Sequence, residues 1–337
     1  TGVLRGEESR FVADHDVIVA SIQTLARRHL PAADLLVVDE VHVMHKAHAA
    51  LFERWDNVPT IGLTATPFTR GLGQWFSNLV VPTSIGALTD AGLLVPVVPY
   101  GPAAPDLAGV RTRAGDYAQN DLAARMNRVE LHADIIDTWR RLGEGRQTLV
   151  FAVDIAHSKA VAAAFEAAGV PAAHLDGYAD GIERGSAIRR FRDGEITVLC
   201  SVACLAVGFD APNASCLVLA RPTKSLTMHL QQIGRGLRPH PGKANCIVID
   251  HAGNIERHGL PADIDVGELD DGTRTWQSRA PLERLPRPCT SCAFLKPPGV
   301  HQCPQCGFAP ERRSEVETID AEIVALTTEA QSRSEMQ

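Results

Sequence analysis

Apolar residues recur along this chain in two arrangements. Short unbroken runs stand at 35–38 (LLVV), 147–153 (QTLVFAV), 196–202 (ITVLCSV), 214–221 (ASCLVLAR) and 246–250 (CIVID). Runs of this length without polar alternation read as strands buried on both faces, as in a parallel sheet. VPTIGLT (58–64) and VIVASIQTL (17–25) follow the same design, the second entering a turn or short helix. Between the runs the period changes to that of a helix, as for Val129, Ile135, Ile136, Trp139 and Leu142. Further helices are expected over 43–54, 156–168, 181–192 and 226–237. Strands alternating with helices predict an α/β fold.

The alternation is interrupted once. Residues 96–127 open with VPVVPYGPAAPDLAGV, rich in Pro, Gly and Ala. They read as a connector with some extended structure and a short helix over 119–127. After residue 255 the pattern dissolves into an acidic, then Pro- and Arg-containing stretch. The expected organisation is a first α/β unit at 1–95, a connector at 96–128 and a second unit at 129–258. A linker at 259–285, a cysteine module at 286–312 and a final helix and tail at 313–337 complete it.

Composition sharpens this picture modestly. The 337 residues suit two domains and a small module. With 45% apolar and 22% charged residues the chain has real cores rather than disorder. A net charge of -7 argues against a simple nucleic-acid coat, yet leaves room for a local basic groove. No stretch reaches membrane-spanning length and the first residues lack an apolar signal core, so a cytoplasmic protein is expected. Cysteine usage agrees: Cys200, Cys204, Cys216 and Cys246 stand singly, and the other four cluster.

The chemistry gathers at the strand ends. Asp39 and Glu40 follow LLVV directly, with His42 behind them. Adjacent carboxylates at a sheet edge suit Mg²⁺ and water handling in phosphoryl transfer, one on the ion and one on the attacking water. A solvated helix start would also place acids there. Thr64 and Thr66 end the next strand in TATP and could relay between a nucleotide and a bound strand; a capped turn is the plainer reading. In the second unit Gly208 and Asp210 lie in LAVGFDAP, where glycine permits close approach to a ligand and the acid could engage a ribose or orient an arginine. Gln231, Arg235 and Arg238 form QQIGRGLR. Three residues apart on an expected helix, the two arginines project to one side and could grip phosphate oxygens.

Taken together these motifs resemble those of superfamily 2 helicases and translocases. DEVH resembles the Walker B motif and TATP the third motif. Residues 205–212 and 231–238 resemble the fifth and sixth. The match runs over about 15–255, and VASIQTL, RPTKS and HPGKANCIVIDHAGNIERHG are most similar to bacterial RadD-type proteins and to phage and restriction-type motors. The resemblance implies two RecA-like lobes with ATP and Mg²⁺ between them and DNA across their other face. Nothing in the residues excludes RNA. Candidate nucleic-acid contacts are Ser21, Gln23, Thr24, Ser201, Arg221, Thr223, Lys224 and Ser225, whose groups suit backbone phosphates. Such motors also require GxxxxGK[ST] before the Walker B acids. None stands in these residues, so the first lobe is expected to be incomplete at its N-terminus and the chain by itself inactive toward ATP. A non-catalytic DNA-binding remnant and the motor of a restriction complex are the alternatives.

The last constellation is Cys289-x2-Cys292 and Cys303-x2-Cys306, ten residues apart. Two such knuckles can give four thiolates to one structural Zn²⁺, with no open position for water. A redox pair or an iron–sulfur cluster fits the paired spacing less well. The module could bind DNA or a partner protein.

Overall fold

The structure is a computed structural model that describes residues 2–4, 15–28, 32–44, 46–102, 105–202, 211–264, 266–273 and 285–310. The helix expected over 315–331 and the glycine-containing loop at 203–210 lie outside the described residues.

The first unit contains β1 (Gly2–Leu4), β2 (Ile18–Ala20), α1 (Ile22–Leu25), β3 (Leu36–Val38), α2 (Lys46–Arg54), β4 (Thr60–Gly62) and α3 (Ile85–Asp90). β1 pairs with β2, and β3 with β4, both parallel. Sequence reading expected LLVV to be buried on both faces. Val37 and Ile61 sit opposite each other and are 52% and 49% exposed. Among the described residues each of these strands pairs with one neighbour, and no element covers the face that carries Val37 and Ile61.

The connector supplies β5 (Val97–Tyr100), β6 (Thr112–Arg113), β7 (Asp116–Tyr117) and α4 (Gln119–Met126). The second unit follows as α5 (Val129–Leu142), β8 (Thr148–Phe151), α6 (Ile155–Ala167), β9 (Ala172–Leu175), α7 (Gly181–Arg192), β10 (Val198–Ser201), β11 (Cys216–Leu219), α8 (Leu226–Gly234), β12 (Cys246–Asp250) and α9 (Asn254–His258). Its sheet runs β5-β12-β11-β8-β10-β9 and is parallel throughout. β8, β10, β11 and β12 are buried along their whole length, which is why their sequences are unbroken apolar runs. Leu149 and Phe151 face a core shared with Phe191, Ile233 and Ile255. Val150, between them, faces the opposite core with Ile135, Trp139, Val161 and Phe165. Helices therefore cover both faces. Asp154 and Asp180 cap α6 and α7, accepting otherwise unpaired N–H groups of the first turns.

Two segments behave differently from their sequence. Part of the expected connector is β5, an edge strand of the sheet. Pro99 is tolerated there because an edge strand needs a hydrogen-bonding partner on one side only. Part of the expected linker docks on the first unit: Gly73 N–H donates to Asp270 O at 2.8 Å, and Arg70 Nη2 to Gly272 O at 3.0 Å. Ile264 and Val266 join Phe68, Leu226 and Leu230 in a small apolar cluster between the units.

The cysteine module contains β13 (Arg287–Pro288) and β14 (Leu295–Lys296), paired antiparallel. It is not a separate bead. Gly101 N–H donates to Ala293 O at 2.8 Å, Phe294 meets the Tyr100 ring edge-on, and Leu295 is fully buried in the core of the second unit. Gly101 carries no side chain because a β-carbon there would lie 2.7 Å from Leu295.

Candidate functional site

The strand β3 ends at Val38, and the chain turns sharply through Asp39 and Glu40. Glu40 has φ of 51°, a left-handed conformation that non-glycine residues seldom adopt. The turn is held by Val41 N–H to Leu63 O at 3.0 Å and Val43 N–H to Glu40 O at 2.9 Å. It leaves the Glu40 side chain half exposed and folds His42 inward. Backbone strain of this kind persists where surrounding contacts enforce it, and it clusters at functional sites.

His42 is the junction. Its Nδ1 lies 3.0 Å from Thr64 Oγ1 and 3.2 Å from Glu40 Oε2. Its Nε2 lies 2.8 Å from Gln231 Nε2 on α8. The side-chain amide is a donor, so His42 Nε2 accepts and Nδ1–H donates toward Thr64 and Glu40; this is the neutral tautomer. Burial lowers the His42 pKa, against the opposing pull of Glu40 and Asp39, and so favours that neutral form. Thr64 Oγ1 also accepts Thr66 N–H at 2.9 Å, and Thr69 Oγ1 donates to His42 O at 2.6 Å. Three motifs far apart in sequence thus meet in one hydrogen-bonded chain across the two units.

The other expected site residues divide. Asp39 Oδ1 accepts Glu40 N–H at 2.9 Å and sits at the strand end as expected. Thr66 is buried, and among the described residues its hydroxyl has no hydrogen-bond partner. Arg235 and Arg238 are half-buried, but not on a helix: α8 ends at Gly234 and Arg235 is its C-cap. Gly236 explains the stop. A β-carbon there would lie 2.4 Å from Cys246 Sγ, so the backbone passes against the sheet where a helical side chain has no room. Gly208 and Asp210 lie outside the described residues.

Among the expected nucleic-acid contacts, Gln23 is exposed on α1. Ser21 caps that helix and its hydroxyl lies 2.8 Å from that of Thr24. Ser201 and Thr223 are fully buried. Ser225 caps α8. Arg221, Thr223 and Lys224 are joined to the hairpin β6–β7, a partner no periodicity in the sequence announced. Two histidines of the second unit bond to backbone carbonyls. His229 Nε2 donates to Gly259 O at 3.0 Å and His258 Nε2 to Thr223 O at 2.9 Å, and burial drives His229 down to about 3.

The four cysteine sulfurs converge. All lie within 4.8 Å of one another, with Cys289–Cys306 and Cys292–Cys303 both at 3.7 Å. A tetrahedral ion with Zn–S bonds of about 2.3 Å requires sulfurs about 3.8 Å apart, so the donor set fits. The two knuckles match. Cys289 N–H donates to Phe294 O and Ala293 N–H to Cys289 O; Cys303 N–H donates to Phe308 O and Gly307 N–H to Cys303 O. Ala293 and Gly307 occupy equivalent left-handed positions, with φ of 61° and 73°.

These features recur in known proteins. The helicase conserved C-terminal domain matches residues 128–240. A 51.5 kDa protein of a Lactococcus phage is 28% identical over 302 residues, 88% of this chain and 66% of the relative. A Saccharomyces cerevisiae protein provisionally named ATP-dependent helicase IRC3 is 31% identical over 260 residues, 72% of this chain and 38% of the relative. The chain is thus similar to helicases of superfamily 2 over most of its length. It spans 38% to 66% of the length of these two relatives. The same fold occurs in a fragment from Vibrio vulnificus described as an HsdR subunit of a type I restriction enzyme (TM-score 0.60, 23% identity, 77% of this chain and 52% of that one). The Type ISP restriction-modification enzyme LlaBIII shares it too (TM-score 0.51, 18% identity, 74% and 20%). The chain has the expected α/β architecture, and the parallel sheet of β5 and β8–β12 is like that of a RecA-like helicase lobe. Among the described residues no helix is long and apolar enough to cross a membrane.

Proposed function

We propose that this chain is the motor part of a DNA-dependent ATPase of superfamily 2, acting as a helicase or translocase in DNA repair, recombination or phage replication. The observation that carries the reading is the bridge from His42 and Thr64 to Gln231, which couples the DEVH and TATP turns to the helix before Arg235. A nucleotide bound between lobes that share such a bridge would bias their relative placement, and that is how hydrolysis becomes movement.

In this reading Asp39 would hold Mg²⁺, and the ion would neutralise charge on the phosphates. Glu40, half exposed at the strained turn, orients the attacking water. Arg235 and Arg238 approach the γ-phosphate from the second lobe. Thr64 and Thr66 link this site to the nucleic-acid side, and Gly208 and Asp210 contribute to nucleotide binding. Nucleic acid lies along strand-end loops, with exposed Gln23 a direct contact and Ser21 and Thr24 shaping its loop; Ser201, Arg221, Thr223, Lys224 and Ser225 serve by shaping the groove. Cys289, Cys292, Cys303 and Cys306 bind one structural zinc, which would order the module and take no part in hydrolysis.

The test is steady-state ATP hydrolysis by the natural full-length protein, alone and with single-stranded DNA, duplex DNA or RNA. Turnover that requires nucleic acid, with DNA the stronger stimulant, is expected. Binding should be insensitive to sequence and fall steeply with salt. No stimulation by any nucleic acid would overturn the reading. Stimulation by RNA alone would overturn the choice of DNA.

A further inference from the structure

The start of α8 is held by a polar clamp that the catalytic reading does not use. Asp116, on the hairpin β6–β7, spends its carboxylate there. Its Oδ1 accepts the Lys224 backbone N–H at 2.7 Å and its Oδ2 accepts the Thr223 hydroxyl at 2.9 Å. Arg221 Nη2 stands 3.8 Å from the same Oδ2. Lys224 Nζ donates to Thr112 Oγ1 at 2.6 Å and lies 4.8 Å from the centre of the Tyr117 ring. From the opposite side α9 grips the segment. Asn254 Oδ1 accepts Thr223 N–H at 2.9 Å, and Asn254 Nδ2 donates to Arg221 O at 2.9 Å. Thr223 Oγ1 in turn accepts Ser225 N–H at 3.0 Å, and Ser225 caps α8.

The helix needs such an anchor. Its C-terminal part is fixed by Ile233 in the core of its own lobe. Its N-terminal part divides its contacts: Leu226 and Leu230 pack on Phe68 of the first unit, with Ile264 and Val266, while His229 Nε2 donates to Gly259 O of its own lobe at 3.0 Å. Those apolar contacts pull that end toward the first unit, and the His229 bond holds it toward the second lobe. The clamp adds a firmer tie to the second lobe, about one and two-thirds turns (roughly 9 Å) before Gln231 reaches His42. A buried threonine, a capped helix start and a carboxylate with both oxygens engaged make a stiff joint, because loss of any partner strands a desolvated polar group.

We infer that Asp116 is a positioning residue: it fixes the start of α8 and through it the placement of Gln231 and Arg235, while standing outside the nucleotide site. Its effect on rate rests on the ATPase reading above; the clamp itself does not.

Two measurements on the natural full-length protein test this. In the first, hydrogen exchange is followed without ATP. Asp116→Ala should accelerate exchange over 226–234 and leave 148–151 unaltered, which also shows that the lobe remains folded. In the second, Asp116→Ala should lower kcat roughly tenfold with KM for ATP within about twofold, a pattern of lost transition-state alignment. Asp116→Asn keeps an acceptor for Lys224 N–H and should recover part of the rate. In a Gln231→Ala background Asp116→Ala should cost little more, because both act through one contact. Unaltered exchange over 226–234 would overturn the clamp. Rate losses that multiply in the double variant, or an unaltered kcat, would overturn the positioning role. Accelerated exchange in a protein whose unsubstituted form hydrolyses no ATP would support the clamp and sink the motor reading alone.

Discussion

Replacing Arg235 by alanine in the natural full-length protein lowers kcat for ATP by roughly 10³-fold or more and leaves nucleic-acid affinity nearly unaltered. The expectation follows from where the residue sits. It caps α8, four residues after the glutamine that touches His42. Gly236 next to it packs so closely on Cys246 and Leu217 that a β-carbon would clash with both, so the backbone beside Arg235 is tightly seated. A cation held rigidly across a cleft acts on charge that develops in the transition state, and its removal therefore appears in kcat more than in ground-state binding. Arg235→Lys should recover only part of the rate, since an ammonium cannot reproduce a bidentate fork. Single-turnover hydrolysis alongside a nucleic-acid binding isotherm separates the two quantities. A kcat within about twofold of the unsubstituted protein would remove Arg235 from the catalytic set.

Replacing Cys303 by serine is expected to cost the module its zinc and its order, and to weaken the second lobe as well. A four-thiolate site supplies most of the folding free energy of a domain this small. Sequence reading expects the loss to stay inside residues 286–310. The structure extends it, because Leu295 is part of the core beneath β5. Withdrawing a fully buried leucine typically costs about 2–5 kcal/mol. The melting temperature of the lobe should therefore fall by several degrees, and Leu295→Ala alone should reproduce that part of the effect while keeping the metal. Zinc content per chain, limited proteolysis and thermal melting report the three consequences. A metal-free protein with an intact, protease-resistant module would contradict the assignment.

How much of this was legible in the sequence depends on the kind of contact. The second lobe was, because strands buried on both faces must be continuously apolar and the intervening helices follow with short connections. The knuckles were legible as well, since thiolate spacing is a local property; Ala293 in a left-handed position was not, because alanine gives no signal of it. β5 was hidden by its prolines, which are tolerated at an edge. The hairpin β6–β7 was hidden by its size: two-residue strands joined through Ala114 and Gly115, both at positive φ, form a tight turn without the Asn-Gly or Asp-Gly signature of such loops. Residues 266–273 dock on the first unit largely through backbone atoms and one aspartate, and no periodicity encodes that. The helix through Arg235 and Arg238 was extended too far because its period continues beyond Gly234, while what stops it is a close approach to another strand.

The central claim is that Glu40, set by the strained turn beside His42, orients the water that attacks ATP. Its most direct test is hydrolysis by the Glu40→Gln variant of the natural full-length protein, measured with saturating DNA and paired with a nucleotide-binding measurement. Glutamine preserves the shape of the side chain and removes the charge. The account predicts ATP binding close to that of the unsubstituted protein and hydrolysis lowered by roughly two orders of magnitude or more, the scale of a lost general base. Hydrolysis at an undiminished rate in that variant would contradict it.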